Sequence, residues 1–270
     1  MSVIPRFVYL DTNIISHLAK NKELWPKLSE FLILNDLVLG ISSANISELS
    51  EATNLHPTLA EMLVQLPSAT LKEADTILEE EVKSHHYKRV ESLLAYPLNY
   101  LLSETGGVHE FKEFLSSNKL NSARKDQLNK SKQMLTRLTE LKANFPPSKT
   151  GRYIRDQVEE FACMQVIQWL GIKHQVFLKS LQTNIENFHS EIFLSILLFA
   201  HVIFYKYYLG KREPKISDFV DLEHLFVIPY CELAIMERDL CNVLNQIKRS
   251  HNSLDSTVVK NIDFFKDWKY

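Results

Sequence analysis

Acidic residues recur at or near the ends of apolar segments along this sequence. Asp11 directly follows the apolar run "FVYL", and Glu48 lies in the first turns of the helical pattern that follows a second such run. Gathered carboxylates repel one another, so a site built from them needs cations. Mg²⁺ or Mn²⁺ are the natural partners of such oxygen ligands. The further members of this acidic set are Asp221, Glu237 and Asp239.

Helix capping is the competing explanation for some of these residues. Acidic side chains in the first turn of a helix are favoured by the helix dipole, and this alone accounts for Asp218, Asp221 and Asp239. Asp11 is harder to explain in this way, because a carboxylate placed directly after a buried strand is costly without a partner. Asp11 is therefore the strongest candidate in the set.

Short apolar segments alternate with helical patterns at both ends of the sequence. The predicted strands are "RFVYL", "DLVLGIS", "ELAIM" and "STVVKN". Strands that alternate with helices form parallel sheets, so we predict an α/β fold with a mostly parallel sheet flanked by helices. Ligands of open parallel sheets bind beyond the carboxyl ends of the strands, where the acidic residues fall.

The middle of the sequence has a different character. Long amphipathic segments dominate residues 59–208, and they predict a large all-helical insertion or subdomain. The α/β domain is then split between residues 1–58 and 209–270. No repeat of fixed period occurs in the sequence.

Composition narrows the function classes. The 31 Lys and Arg residues balance 33 Asp and Glu, so bulk positive charge does not hold this chain to a polyanion. Three cysteines without CxxC spacing favour neither a disulfide framework nor a zinc knuckle, and the acidic set lacks the His and Cys ligands that zinc prefers. The most apolar stretch, 192–210, contains Ser195, His201 and Lys206, which favours a buried helix over a membrane span. Without a signal-peptide pattern, we expect a cytoplasmic protein.

Four segments resemble the motifs of PIN-domain nucleases. They are "FVYLDTNIIS", "LGISSANISELSEA", "SDFVDLEHLFVIPYCE" and "LAIMERDLCNVL". Their order and their strand or helix context agree with that family, over roughly 110 residues at the two ends of the chain. The resemblance implies a metal-dependent ribonuclease on a PIN-like, mostly parallel sheet, with one or two Mg²⁺ or Mn²⁺ ions.

The resemblance also implies roles for particular residues. Asp11, Glu48 and Asp221 match the first three acids, and Glu237 matches the fourth. Of two bound ions, one would generate hydroxide and the other would stabilise the leaving oxygen. The fourth motif of the family commonly has Thr or Ser before an Asp, whereas Met236 precedes Glu237 here, so Glu237 and Asp239 both stay open as the fourth ligand. The supporting residues beside the metal would be Thr12 and Asn13.

His224 stands one turn after Asp221, and this spacing predicts a structural residue that packs or hydrogen-bonds near the site. Basic residues elsewhere are candidates for gripping an RNA backbone, with Tyr87 or Tyr153 stacking on a base. Solvated helix ends explain the same residues equally well. The basic candidates are Lys88, Arg89, Lys149, Arg152 and Arg155.

Two functions from different classes follow. The first is a metal-dependent endoribonuclease, with DNA as a possible substrate in place of RNA. The second is a catalytically weak module that binds RNA or a protein partner through the helical insertion. The long insertion argues against a simple toxin, and the sequence does not choose among a toxin–antitoxin pair, phage defence and RNA processing. An antitoxin or a second copy of the chain are further possible partners.

Overall fold

A six-stranded sheet forms the centre of the protein. The computed structural model describes residues 5–83, 93–144, 146, 155–182, 189–210 and 213–268. The strands lie side by side in the order β4-β3-β2-β1-β5-β6, and all neighbours are parallel except β3 and β4. The strands are β1 (Arg6–Leu10), β2 (Leu37–Ile41), β3 (Ser68–Leu71), β4 (Leu94–Pro97), β5 (Leu233–Met236) and β6 (Val258–Asn261).

Helices cover the sheet. The described α-helices are α1 (Thr12–Lys20), α2 (Trp25–Leu34), α3 (Ser43–Leu49), α4 (His56–Gln65), α5 (Ala74–Lys83), α6 (Leu98–Ser103), α7 (Gly107–Leu115), α8 (Asn118–Asn144), α9 (Arg155–Lys173), α10 (Gln175–Gln182), α11 (Leu194–Val202), α12 (Ile216–Val220) and α13 (Arg238–Ser250). A π-helical turn, Ile203–Tyr208, continues α11, and a 3₁₀ segment, Asp221–Phe226, continues α12.

Strand β1 is buried on both faces. Val8 and Leu10 pack into one apolar cluster, and Phe7 and Tyr9 pack into a second cluster on the other side. Strands covered by helices on both faces consist of nearly continuous apolar residues, and this is what "FVYL" shows. The predicted α/β class with a mostly parallel sheet is confirmed.

The range predicted to be all-helical is not entirely helical. Strands β3 and β4 fall within residues 59–208, and both join the central sheet. Each has only four residues, which is too short for an apolar run or an alternating pattern to show in the sequence. Of the described residues in this range, those from Leu98 to Tyr208 contain helices and turns without strands. The division into 1–58 with 209–270 and 59–208 stays a prediction.

The apolar stretch 192–210 is a largely buried helical segment. Leu198, Ala200 and Val202 of α11 are fully buried. None of the described helices combines the length and apolar character that a bilayer span requires.

The connections reverse the strand order at the centre of the sheet. The chain runs outward from β1 through β2 to β3, and then returns to the opposite side of β1 with β5 and β6. The strand order therefore reverses between β1 and β5. Ligands of open α/β sheets bind at this kind of switch point, beyond the carboxyl ends of the strands.

Candidate acidic site at the carboxyl edge of the sheet

Asp11 lies at the junction between β1 and α1. Its backbone N–H donates to the Ile235 carbonyl of β5 at 2.9 Å, which fixes the junction against the neighbouring strand. Its side chain caps α1 by accepting the Asn13 backbone N–H at 3.0 Å. The residue as a whole is only 8% exposed. Asp11 therefore has a structural partner, and its burial still raises the cost of its charge.

A buried amide fixes the start of α3 against the end of β1. Asn45 accepts the Ser42 backbone N–H at 3.0 Å and donates to the Leu10 carbonyl and the Thr12 hydroxyl, both at 3.1 Å. Asn45 is completely buried. These bonds set the position of Glu48, which lies one turn further along α3.

Asp221 and His224 come from the 3₁₀ segment after α12. Side chains three residues apart in a 3₁₀ helix point in the same direction, so this segment presents both residues on one side. His224 is 2% exposed, whereas Asp221 keeps an exposed face. Asp218 caps α12 by accepting the Lys215 backbone N–H at 2.7 Å, which confirms the capping explanation for that residue.

His224 joins the two halves of the site. Its Nε2 lies 2.9 Å from Glu48 Oε1, and its Nδ1 contacts the Tyr9 hydroxyl. That hydroxyl lies 2.9 Å from Ser42 Oγ, so a hydrogen-bonded chain leads from Ser42 to Glu48 through the core. The predicted structural role of His224 beside the site agrees with these contacts.

The two candidates for the fourth acid have different surroundings. Glu237 Oε1 accepts a hydrogen bond from Asn13 Nδ2, and its charge raises the pKa of Asp11. Asp239 instead forms an ion pair with Lys206 at 2.9 Å. Both residues are exposed: Glu237 directly precedes α13, and Asp239 lies in its first turn. These contacts favour Glu237 as the fourth acid, because its partner Asn13 also donates its backbone N–H to Asp11.

The carboxylates influence one another. Burial, together with the charges of Glu48 and Asp11, raises the pKa of Asp221 to about 6, although the charges of His224 and Lys206 oppose this shift. Burial likewise raises the pKa of Asp11, and the charges of Glu237 and Glu48 act in the same direction. Burial opposes the charge of Glu48 as well, but the neighbouring His224 and Thr12 outweigh it and lower the pKa of Glu48. The surroundings therefore stabilise the negative charge of Glu48, and they disfavour the negative charges of Asp11 and Asp221.

The pKa of His224 depends on the same carboxylate charges. Burial alone would lower its pKa, but the bond to Glu48 and the charges of Glu48, Asp11 and Asp221 outweigh burial and raise it. When it is protonated, the imidazole ring supplies part of the positive charge that the carboxylates lack.

The donor set fits a hard divalent ion. Asp11, Glu48 and Asp221 offer carboxylate oxygens, and the Thr12 hydroxyl lies beside Glu48. Among the described residues, these acids do not form a group whose ligand atoms all lie within 4.8 Å of one another. Mg²⁺ keeps several of its waters and needs only one or two direct carboxylates, so this wider spacing is compatible with Mg²⁺ or Mn²⁺.

The predicted RNA contacts are not placed by the structure. Lys88, Arg89, Lys149 and Arg152 lie outside the described residues, as do Tyr87 and Tyr153. Of Arg155, only the backbone at the start of α9 is described.

A second cluster was not predicted from the sequence. Glu159, His201 and His251 bring one ligand atom each within 4.8 Å of the others. They are 42 and 50 residues apart in the chain and follow no ligand spacing, so only the fold brings them together. One signal was present: His201 interrupts the apolar segment "LSILLFAHV", where a polar side chain needs a partner.

Comparison with protein-family models, with curated proteins and with solved structures gives no significant match to this chain. The relation to PIN-domain nucleases therefore stays a prediction from the motifs.

Proposed function

We propose that the protein is a metal-dependent nuclease of the PIN-like kind, with RNA as its substrate. The observation that carries this proposal is the convergence of Asp11, Glu48 and Asp221 near the reversal of strand order between β1 and β5. Their mutual repulsion supports a role for cations, because a cluster with unneutralised charge costs stability unless it binds something.

Asp11, Glu48 and Asp221 would hold the ion, and Glu237 would complete the group. Bound Mg²⁺ or Mn²⁺ activates water and stabilises the charge that develops on a phosphodiester. Asn13 would orient Glu237 through its side-chain amide, and His224 would keep Glu48 aligned and ionised. Asp11 is held by both the β5 carbonyl and its own helix, which limits its movement during the reaction.

Cleavage of labelled RNA in the presence of Mn²⁺ or Mg²⁺ tests the proposal. We expect Asp11→Asn to reduce cleavage by more than about 100-fold, because losing even an outer partner of a metal ligand commonly costs 10- to 100-fold. Asparagine can still accept the Asn13 N–H, so the fold should be kept. Asp255→Asn, at an exposed position outside the site, is the control. Undiminished cleavage by Asp11→Asn refutes the proposal, and parallel DNA substrates decide the choice of nucleic acid.

A catalytically weak binding module is the second candidate. It is favoured by the spacing of the acids and by the bond from Glu48 to His224, which occupies one of the oxygens needed for a metal. The partner would be RNA or a protein bound by the helices between Leu98 and Tyr208. Calorimetric titration with Mn²⁺ separates the two candidates: saturable binding that Asp221→Asn abolishes supports the nuclease, and no heat at millimolar Mn²⁺ supports the module.

A further inference from the structure

Two buried histidines and one glutamate lie close together where α9, α11 and the end of α13 meet. Glu159 belongs to α9, His201 to α11, and His251 follows the last residue of α13. His201 and His251 are 1% and 2% exposed, whereas the Glu159 side chain is 44% exposed. One edge of the cluster is therefore open to solvent, and its nitrogen atoms lie inside the protein.

The inner nitrogen of His201 has no hydrogen-bond partner. This atom, Nε2, is buried and lies 3.6 Å from Glu159 Oε2. The separation is longer than a hydrogen bond. It is close to the roughly 3.4 Å expected between two ligands of a tetrahedral metal with bonds of about 2.1 Å. The spacing thus matches two atoms that share an ion better than a donor and its acceptor.

The outer nitrogen of each ring faces a hydroxyl group. His251 Nε2 lies 2.8 Å from the Tyr205 hydroxyl, and His201 Nδ1 lies 3.5 Å from Ser253 Oγ. When the outer nitrogens carry the protons, the lone pairs of His201 Nε2 and His251 Nδ1 face Glu159. Histidines that bind metals are commonly oriented in this manner, with the second nitrogen donating to an outer oxygen.

We propose that Glu159, His201 and His251 bind a divalent transition-metal ion of the Zn²⁺ class. Two imidazole nitrogens and one carboxylate oxygen are a known ligand set for Zn²⁺, with water at the remaining position. The half-exposed Glu159 leaves that position open. Magnesium is disfavoured, since it prefers oxygen ligands. The ion would tie α9 to α11 and to the end of α13, and this role is independent of the proposed nuclease chemistry.

The alternative for this cluster is a metal-free clamp. In that case the inner nitrogens carry the protons, His251 Nδ1 bonds to Glu159 Oε1, and the two rings stack with their centroids 4.1 Å apart. The hydroxyls of Tyr205 and Ser253 then donate to the rings. Metal binding measured directly distinguishes the clamp from the ion site.

The test uses the full chain after treatment with a chelator, titrated with Zn²⁺ against a chromophoric competitor. We expect one ion per chain with micromolar or tighter affinity, and Co²⁺ in its place should give visible absorption typical of four nitrogen and oxygen ligands. Glu159→Gln should abolish the bound ion, and Tyr205→Phe should weaken it about 10- to 100-fold. Glu159 is half exposed, so its substitution should leave the fold intact.

Two control variants assign the ion to this cluster. His109→Ala removes an exposed histidine that pairs with Glu113, and Asp221→Asn removes a carboxylate of the acidic site. Both should bind Zn²⁺ as the unmodified chain does. The proposal is overturned if the unmodified chain binds no Zn²⁺ at micromolar concentration. Binding that Glu159→Gln leaves unchanged, or that Asp221→Asn abolishes, also overturns it.

Discussion

His224 shows how a single buried residue connects the core to the acidic edge. If the ring is positively charged, Nδ1 donates to Tyr9, Tyr9 donates to Ser42, and Ser42 donates to Asn45 at 3.1 Å. If the ring is neutral with its proton on Nε2, the hydroxyls of Tyr9 and Ser42 turn and donate in the reverse direction. Either arrangement satisfies the buried groups, so His224 can change charge without breaking the chain of bonds.

Removing one hydroxyl tests this chain. Tyr9 is fully buried, and Tyr9→Phe would leave His224 Nδ1 without its partner. A buried polar atom left unpaired costs about 1–3 kcal/mol, and we expect the free energy of unfolding to fall by that amount in urea denaturation. Tyr100→Phe, at a side chain that is 62% exposed, should change it by less than about 0.5 kcal/mol. Equal losses in the two variants would show that the hydroxyl of Tyr9 makes no useful bond.

The fourth acid is a second question at the residue scale. Glu237 contacts Asn13, whereas Asp239 is paired with Lys206. If the nuclease proposal holds, Glu237→Gln should reduce Mn²⁺-dependent cleavage at least about tenfold, since it removes a charge beside Asp11. Asp239→Asn should leave cleavage within about twofold. Single-turnover cleavage rates of the two variants decide which residue is the fourth acid. A larger loss of cleavage rate for Asp239→Asn than for Glu237→Gln would assign that role to Asp239.

At the scale of elements, the sequence predicted the strands that carry the acids and missed the strands that widen the sheet. Strands β1, β2 and β5 appear as apolar runs followed by helical patterns, and β6 lies within the predicted short strand "STVVKN"; all of these are local signals. Strands β3 and β4 have four residues each, and β4 pairs antiparallel to β3 at the edge of the sheet. Their pairing depends on distant chain segments and on packing, which no local pattern records.

The same contrast applies to the two clusters. The proximity of Asp11 and Glu48 was predictable, because they follow the parallel neighbours β1 and β2, whose carboxyl ends meet at one edge of the sheet. Asp221 reaches the same edge from a 3₁₀ segment that follows helices, so its position depends on tertiary packing. The cluster of Glu159, His201 and His251 depends on how α9 packs against α11. The two helices share a buried apolar cluster that includes Ala162, Val166 and Ala200, and the sequence does not specify this packing by itself.

Asn45 is a second buried polar residue whose hydrogen bonds can be tested by substitution. Its side chain connects the start of α3 to the end of β1. Asn45→Ala would leave the Leu10 carbonyl and the Ser42 N–H without their partners in a fully buried position. We expect the free energy of unfolding to fall by about 2–4 kcal/mol, measured by chemical denaturation. Asn35→Ala removes a single exposed bond to the Phe31 carbonyl and should cost under about 1 kcal/mol. A smaller loss for Asn45→Ala than for Asn35→Ala would contradict this role.

For the molecule as a whole, buried carboxyl groups make stability depend on pH. Glu81 of α5 is 1% exposed and accepts the Ser195 backbone N–H of α11 at 2.8 Å and the Tyr230 hydroxyl. Its second oxygen, Oε2, has no hydrogen-bond partner. Burial raises the pKa of Glu81 from about 4.5 to about 7, because these bonds only partly offset the loss of water. Glu159 has the opposite behaviour, since the His201 and His251 rings lower its pKa to about 2 despite partial burial.

The two glutamates act in different pH ranges. A group whose pKa is raised on folding contributes its full stability below its unfolded value, and this stability is lost as pH rises through the folded value. Glu81 therefore destabilises the protein progressively between about pH 4.5 and 7. Glu159 stabilises it above about pH 4.5, and this contribution is lost as the pH falls towards 2. Considered alone, these two groups make the folded protein most stable near pH 4 to 5, where Glu81 is still protonated and Glu159 is ionised.

Glu81→Gln tests the contribution of Glu81 to the pH dependence of stability between about pH 4.5 and 7. Glutamine keeps an oxygen for the Ser195 N–H and cannot ionise, so the fall in stability between pH 4.5 and 7 should become shallower. A pKa difference of 2.5 at about 1.4 kcal/mol per pH unit sets an upper limit of about 3.5 kcal/mol for this change. Denaturant unfolding at pH 5 and pH 7.5 measures the slope for the variant and for Glu79→Gln, an exposed position on the same helix. The slope depends on the ionisation of Glu81 and not on the absolute stability of the variant, so a general loss of packing cannot imitate the effect. An unchanged slope in Glu81→Gln would mean that Glu81 is already ionised at pH 5 in the folded protein.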